Sequence, residues 1–176
     1  MRVFVGDITQ LMNVEAIVNA ANGVGRMGAG VAGAIARAGG QPLLDSVTEV
    51  VKKSGPFKTG QVYISNSGFL LKRGIQKVYH AVTMDYPGGN TPLDTIAPLL
   101  RLVFDTALKN GVESIAFGGM GCGIGGLSKS QVAKVMATVV ESYHDQLKIV
   151  VVDMNPEFIE AFKQNTSIPI EEESPK

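Results

Sequence analysis

The sequence predicts a three-layer α/β domain, with helices on both sides of a mostly parallel sheet. Three observations predict it. Short apolar runs alternate along the chain with longer segments of helical periodicity. Two glycine-rich turns, residues 23–30 and 118–126, each join a strand-like run to a helical segment. The unbroken Ile149-Val150-Val151-Val152 has the composition of a strand buried on both faces.

Residues 3–5 form the first strand, stopped by Gly6-Asp7. A second strand covers residues 16–19 and leads into the first glycine turn. Residues 30–38 are helical and nearly all small, which lets that backbone approach a sheet closely. Pro42 opens a helix that places Leu43, Leu44, Val47, Val50 and Val51 on one face, and Gly55-Pro56 ends it. Residues 61–65 and 77–83 read as strands, separated by a turn around Lys72-Arg73-Gly74. From about Thr95 to Asn110, Ile96, Leu99, Leu100, Val103, Phe104, Ala107 and Leu108 recur at the helical period, with Gly111 as a C-terminal cap. Pro98 fits only in that helix's first turn, where a missing N–H costs nothing. Residues 114–117 form the strand that feeds the second glycine turn, and Ser128 with Gln131 makes a capping box ahead of Val132, Val135, Met136, Val139 and Val140. Residues 148–153 are the last strand, and a closing helix starts at Pro156. The expected organisation is one domain over residues 1–165 and a loose tail over residues 166–176, where Pro169, Glu171-Glu172-Glu173 and Pro175 discourage packing.

Composition excludes several classes. Lys+Arg and Asp+Glu balance at 16 each, so strong non-specific nucleic-acid binding is not expected. One cysteine excludes an internal disulfide and a C-x-x-C zinc pair. No stretch approaches the ~20 apolar residues of a membrane span, and residues 1–7 hold too short an apolar run for a signal peptide. A cytoplasmic protein without membrane partners is the expectation.

A glycine-rich strand-to-helix turn exposes backbone N–H groups at a helix N-terminus, where the dipole favours an anion. Two such turns facing one crevice would grip two linked phosphates, mainly by backbone dipoles. In α/β domains ligands bind beyond the carboxyl ends of the strands, where both turns and Asp7 fall. Gly23-x-Gly25-x-x-Gly28 and Gly121-x-Gly123-x-x-Gly126 also match the dinucleotide fingerprint. That fingerprint wants an acidic residue about 20 positions on at a strand end. After the first turn this region is helical, around Glu49, and after the second Asp153 lies further along.

Four ordered motifs carry a more specific resemblance. Gly6-Asp7-Ile8-Thr9, Ile17-Val18-Asn19-Ala20-Ala21-Asn22, Met27-Gly28-Ala29-Gly30-Val31-Ala32-Gly33-Ala34-Ile35 and Gly121-Cys122-Gly123-Ile124-Gly125-Gly126 resemble the macrodomain family, from Met1 to about Gln164. The resemblance implies a mixed sheet of about six strands between helices, and ADP-ribose as the ligand, with no cofactor or metal required. The ligand is either free or attached to a partner macromolecule. Asp7 matches the residue that accepts from the adenine amino group, with Ile8 contributing backbone. A carboxylate is acceptor-only and suits that donor, although Asp7 also reads as a cap. Asn22 matches the asparagine that orients the distal ribose, and an Asx turn into Gly23 is compatible with that role. Gly28, Ala29, Gly30 and Val31 would present amides to one side of the diphosphate. Gly121, Cys122, Gly123, Ile124 and Gly125 would close over the other. Met154 falls where the family often has an aromatic against adenine, and its sulfur makes a softer ring contact.

The sequence departs from the family at its catalytic positions. Ala32 stands where one hydrolase branch has an aspartate, and Gly125 where another has one. Near Thr83-Met84 no lysine occupies the place of that second branch's lysine. The remaining candidates are Asn22, His80, which shares a strand face with Val78 and Val82, and Cys122, whose amide-rich loop would lower a thiol pKa. Three functions stay open on these residues. One is ADP-ribose binding. The second is hydrolysis of ADP-ribosyl groups on protein or nucleic acid, or of O-acetyl-ADP-ribose, by a non-standard or substrate-assisted route. The third is poly-ADP-ribose or RNA binding.

Overall fold

The computed structural model describes residues 1–123 and 125–171. Six strands, β1 (Arg2–Val5), β2 (Ala16–Asn22), β3 (Val62–Asn66), β4 (Lys77–Met84), β5 (Ser114–Phe117) and β6 (Lys148–Asp153), form one sheet in the order β1-β6-β5-β2-β4-β3. All neighbours run parallel except β3, which is antiparallel to β4 at the edge. The sheet is therefore mixed, as expected.

Helices α2 (Ile96–Lys109), α3 (Lys129–Glu141) and α4 (Pro156–Asn165) pack on one face, and α1 (Gly30–Ser54) covers the other. Strand β6 shows why both layers form. Ile149 and Val151 enter the core under α2, α3 and α4, whereas Val150 and Val152 enter the core under α1. Each such buried side chain contributes about 1.5–3 kcal/mol relative to exposure.

The two helical segments read at residues 30–38 and from Pro42 are parts of α1, separated by a break at Gly40 (φ 70°, ψ −166°). The left-handed φ is open to glycine, and Pro42 then lies in the first turn of the second part, where its ring does no harm. Ser128 accepts from the amide of Gln131 to start α3, and Asn155 accepts from Glu157 to start α4. Three short 3₁₀ turns, Ile8–Gln10, Gly68–Arg73 and Leu93–Thr95, fill connections that periodicity does not reveal.

Residues 166–171 return to the start of the chain. Ile168 is buried, the Met1 ammonium donates to the Pro169 carbonyl (3.0 Å), and the Glu171 amide donates to the Met1 carbonyl (2.9 Å). An apolar residue next to Pro169 supplies the anchor that charge and proline content conceal. Residues 172–176 lie outside the described residues.

Gly23 laces the first glycine turn to the fold. Its amide donates to the carbonyls of Met84 (3.1 Å) and Asp85 (3.0 Å), and its carbonyl accepts from Phe57 (2.8 Å). A β-carbon at Gly23 would overlap the Phe57 carbonyl oxygen, whereas one at Gly28 meets no atom within 4 Å. Gly23→Ala is therefore expected to cost about 1–3 kcal/mol in urea denaturation, and Gly28→Ala less than about 0.5 kcal/mol.

Candidate functional site

Parallel pairing turns the carboxyl ends of β2, β4, β5 and β6 toward one edge of the sheet. The loops that follow these strands enclose a cleft of about 690 Å³. One wall is Asn22, Arg26, Gly28, Ala29, Gly30, Val31 and Ala32; the facing wall is Gly121, Cys122, Gly123, Gly125 and Lys129. Thr83, Met84, Pro87 and Gly88 form a third side, and Gly119, Asp153, Asn155 and Phe158 close the end. The two glycine turns thus share one crevice.

Amide groups define its chemistry. Ala29 caps α1 without a side-chain acceptor, and the first helical bond runs from Gly33 N to Ala29 O at 3.0 Å. The amides of Gly30, Val31 and Ala32 therefore have no acceptor among the described residues. On the facing wall, Gly126 N bonds Gly123 O (3.2 Å) and Leu127 N bonds Gly121 O (2.9 Å), while Cys122 N and Gly123 N have no acceptor among the described residues. Free amides at a helix N-terminus and in a glycine loop have the chemistry to receive an anion.

Side chains add charge that composition hides. Arg26 and Lys129 both line the cleft, so an anion held there would meet side-chain charge as well as backbone amides. Both were legible as basic residues within or just after a glycine turn. Asp153, at the end of β6, also lines the cleft, with Oδ1 accepting from Asn155 N and Oδ2 from Gly119 N, each at 2.8 Å. Its position at a strand end on the carboxyl edge was the available signal.

Among the residues singled out by sequence, the cleft gathers Asn22, Gly28, Ala29, Gly30, Val31, Gly121, Cys122, Gly123 and Gly125. Asp7, Ile8 and Met154 do not line it. Asp7 caps the Ile8–Gln10 turn, its Oδ1 accepting from Thr9 N (2.9 Å) and Thr9 Oγ1 (2.7 Å), and Ile8 is buried. Met154 is 68% exposed, between the cleft residues Asp153 and Asn155. Ile124 lies outside the described residues. Asn22 holds the first turn in shape: its Oδ1 accepts from Val24 N and Arg26 N, both at 3.2 Å, and its Nδ2 donates to Arg26 O (2.9 Å).

Two of the catalytic candidates sit in surroundings that burial dominates. His80 is fully buried in the layer under α1, away from the cleft wall, and stacks on Tyr63 with ring centroids 4.6 Å apart. Burial lowers its pKa to about 3. Cys122 does line the cleft, but burial, reinforced by Asp153 and opposed by Lys129, raises its thiol to about 11. The exposed amides of its loop do not outweigh that loss of hydration, so the thiolate needed for attack is scarce. Asp85, also adjacent to a strand end, binds Thr59 N (2.8 Å) and Thr59 Oγ1 (2.9 Å). No group of three or more His, Cys, Asp or Glu among the described residues is arranged to hold a metal.

The chain is similar to known proteins over nearly its whole length. The family model described as Macro domain matches residues 18–136. A protein of Aquifex aeolicus is 31% identical over 166 residues, 93% of this chain and 96% of that one. The O-acetyl-ADP-ribose deacetylase of Salmonella gallinarum is 35% identical over 144 residues, 81% of this chain and 78% of the enzyme. Among solved structures, the Oceanobacillus iheyensis macrodomain superposes with a TM-score of 0.80 in a form with ADPR, at 25% identity over 92% of this chain and 88% of that one. A form with ADP gives 0.79, at 25% identity over 92% and 86%.

Proposed function

The chain belongs to the macrodomain family, and on that premise we propose that its cleft binds ADP-ribose, free or attached to an ADP-ribosylated macromolecule. The observation that carries this reading is the pair of amide rows without acceptors among the described residues, Gly30 to Ala32 and Cys122 with Gly123, lining one crevice. A diphosphate between them would receive hydrogen bonds from both sides, and Arg26 and Lys129 offset its charge. Asn22 orients the distal ribose from the end of β2. Asp7, with Ile8, takes the adenine amino group through Oδ2, which has no protein partner among the described residues. Met154 covers the base at the rim.

A second reading, ester hydrolysis on O-acetyl-ADP-ribose, draws on the name of the Salmonella relatives. Its chemistry would be attack of water on the acetyl carbonyl, with release of acetate. Ala32 and Gly125, both on the cleft wall, supply no carboxylate to activate that water, and both oxygens of Asp153 already accept amide protons. Binding is therefore the preferred activity.

Calorimetric titration with ADP-ribose, paired with acetate release from O-acetyl-ADP-ribose and release of ADP-ribose from a modified protein, separates these readings. Saturable binding without turnover is expected. Acetate release abolished by a cleft substitution would establish the esterase instead, and absence of ADP-ribose binding would overturn both. Retained RNA affinity in an Asp7→Ala variant that has lost ADP-ribose would favour the nucleic-acid alternative, against which the balanced net charge stands.

A further inference from the structure

Thr91 lies between β4 and α2, 3% exposed and outside the cleft wall, yet it joins the cleft's parts. Its Oγ1 donates to the Thr83 carbonyl at 3.0 Å. Thr83 Oγ1 donates in turn to the carbonyl of Ala21, 3.3 Å away on β2 and next to Asn22, where the first glycine turn begins. On its other side, Thr91 N donates to Gly125 O at 3.4 Å. Gly125 and Gly121 lie directly against the Thr91 side chain. A β-carbon at Gly125 would stand 2.6 Å from Thr91 Oγ1, and one at Gly121 would stand 3.1 Å from Thr91 Cγ2. These two glycines are the neck of the second loop, which Leu127 N closes onto Gly121 O.

We propose that Thr91 is a positioning residue that sets the spacing of the two amide walls, by fastening the neck of the second glycine loop to the ends of β4 and β2. The proposal rests on the ADP-ribose reading above. A glycine-rich loop has much conformational freedom to lose on ordering, so amides aimed at a fixed point need an anchor outside the loop. Hydrogen bonds to phosphate oxygens hold over only a few tenths of an ångström, so a small drift of one wall breaks the two-sided grip. Within Thr91 the duties divide: the amide holds the neck at Gly125, the hydroxyl ties Thr91 to β4, and the methyl packs against Gly121.

Calorimetry with ADP-ribose on wild type, Thr91→Val and Thr91→Ser tests this. Valine keeps the shape and removes the hydroxyl's bond to the Thr83 carbonyl, and is expected to weaken binding about tenfold. Serine keeps the hydroxyl and is expected to restore most of the affinity. Lost stability alone does not move the affinity, because the titration reads folded molecules far below the melting temperature. Wild-type affinity in Thr91→Val, or equal weakness in Thr91→Ser, overturns the proposal while leaving ADP-ribose binding intact; failure of wild type to bind overturns the parent reading. Should the valine variant not fold, hydrogen exchange on wild type decides. ADP-ribose is expected to slow exchange in residues 118–127 and 89–93 together, and slowing of the first segment without the second rejects the coupling.

Discussion

Gly123→Glu is expected to lower ADP-ribose affinity by at least about a hundredfold while the domain keeps its fold. Gly123 is exposed on the cleft wall, and a β-carbon there meets no protein atom within 4 Å. The side chain is therefore tolerated by the protein and points its consequences at the ligand. A carboxylate about 5 Å from a phosphate, at an effective dielectric near 20, meets about 3 kcal/mol of repulsion per unit charge. That is slightly more than a hundredfold, before any steric loss.

Three substitutions separate the causes. Gly123→Ala adds one carbon and is expected to bind within a few-fold of wild type. Gly123→Gln adds the bulk without the charge and is expected to fall between alanine and glutamate. The glutamate deficit relative to glutamine should shrink as salt is raised, because the repulsion is screened across a solvent-open cleft. Calorimetry at two ionic strengths, with circular-dichroism melts to verify folding, reads all three. Equal deficits for glutamate and glutamine would remove the electrostatic cause, and full affinity in a folded Gly123→Glu would take the ligand out of this cleft altogether.

The fold was legible where periodicity is strong. The alternating strands and helices, the capping residues Ser128 and Gly111, and the two-sided burial of Ile149 to Val152 follow from local pattern. The anchoring of residues 166–171 against Met1 was not, because it depends on a partner at the other end of the chain. The convergence of the glycine turns was legible because parallel strands leave their carboxyl ends at one edge. Lys129 and Asp153 carried local signals, a basic residue just after a glycine turn and an acid at a strand end, but only the stacking of elements turns both side chains into one cleft. Cys122 shows the limit of reading pKa from loop chemistry, since exposed amides argue for a lowered value while burial and Asp153 drive it up. Thr91 has no sequence signature, because its importance lies in what its neighbours touch.

His80 makes stability acid-sensitive, and this is the second large effect. In the folded domain its Nδ1 lies 3.1 Å from Asn19 Nδ2 and its Nε2 lies 2.8 Å from Ser65 Oγ, which itself donates to the Asn66 carbonyl. One arrangement satisfies all of these: Asn19 donates to a neutral Nδ1, and Nε2–H donates to Ser65. Protonation would set a second N–H against the Asn19 amide group in a fully buried site, and burial lowers the folded pKa from 6.5 to about 3. Because the folded value lies below the unfolded one, the unfolded chain binds the extra proton first. The contribution of neutral His80 is therefore complete above about pH 6.5 and is lost progressively as pH falls toward 3. Its full extent is on the order of 5 kcal/mol, a large part of a typical domain's 5–15 kcal/mol. Urea denaturation at pH 7, 5.5 and 4.5 is expected to show this decline. Carboxylates contribute to any acid limb, so the variant His80→Gln isolates the histidine. Glutamine is less stable at pH 7, having lost the ring stack on Tyr63, but it carries no titrating group. The stability gap between wild type and His80→Gln should therefore narrow as pH falls from 6.5 to 4.5, and a gap that stays constant would mean that the buried ring does not govern the acid limb.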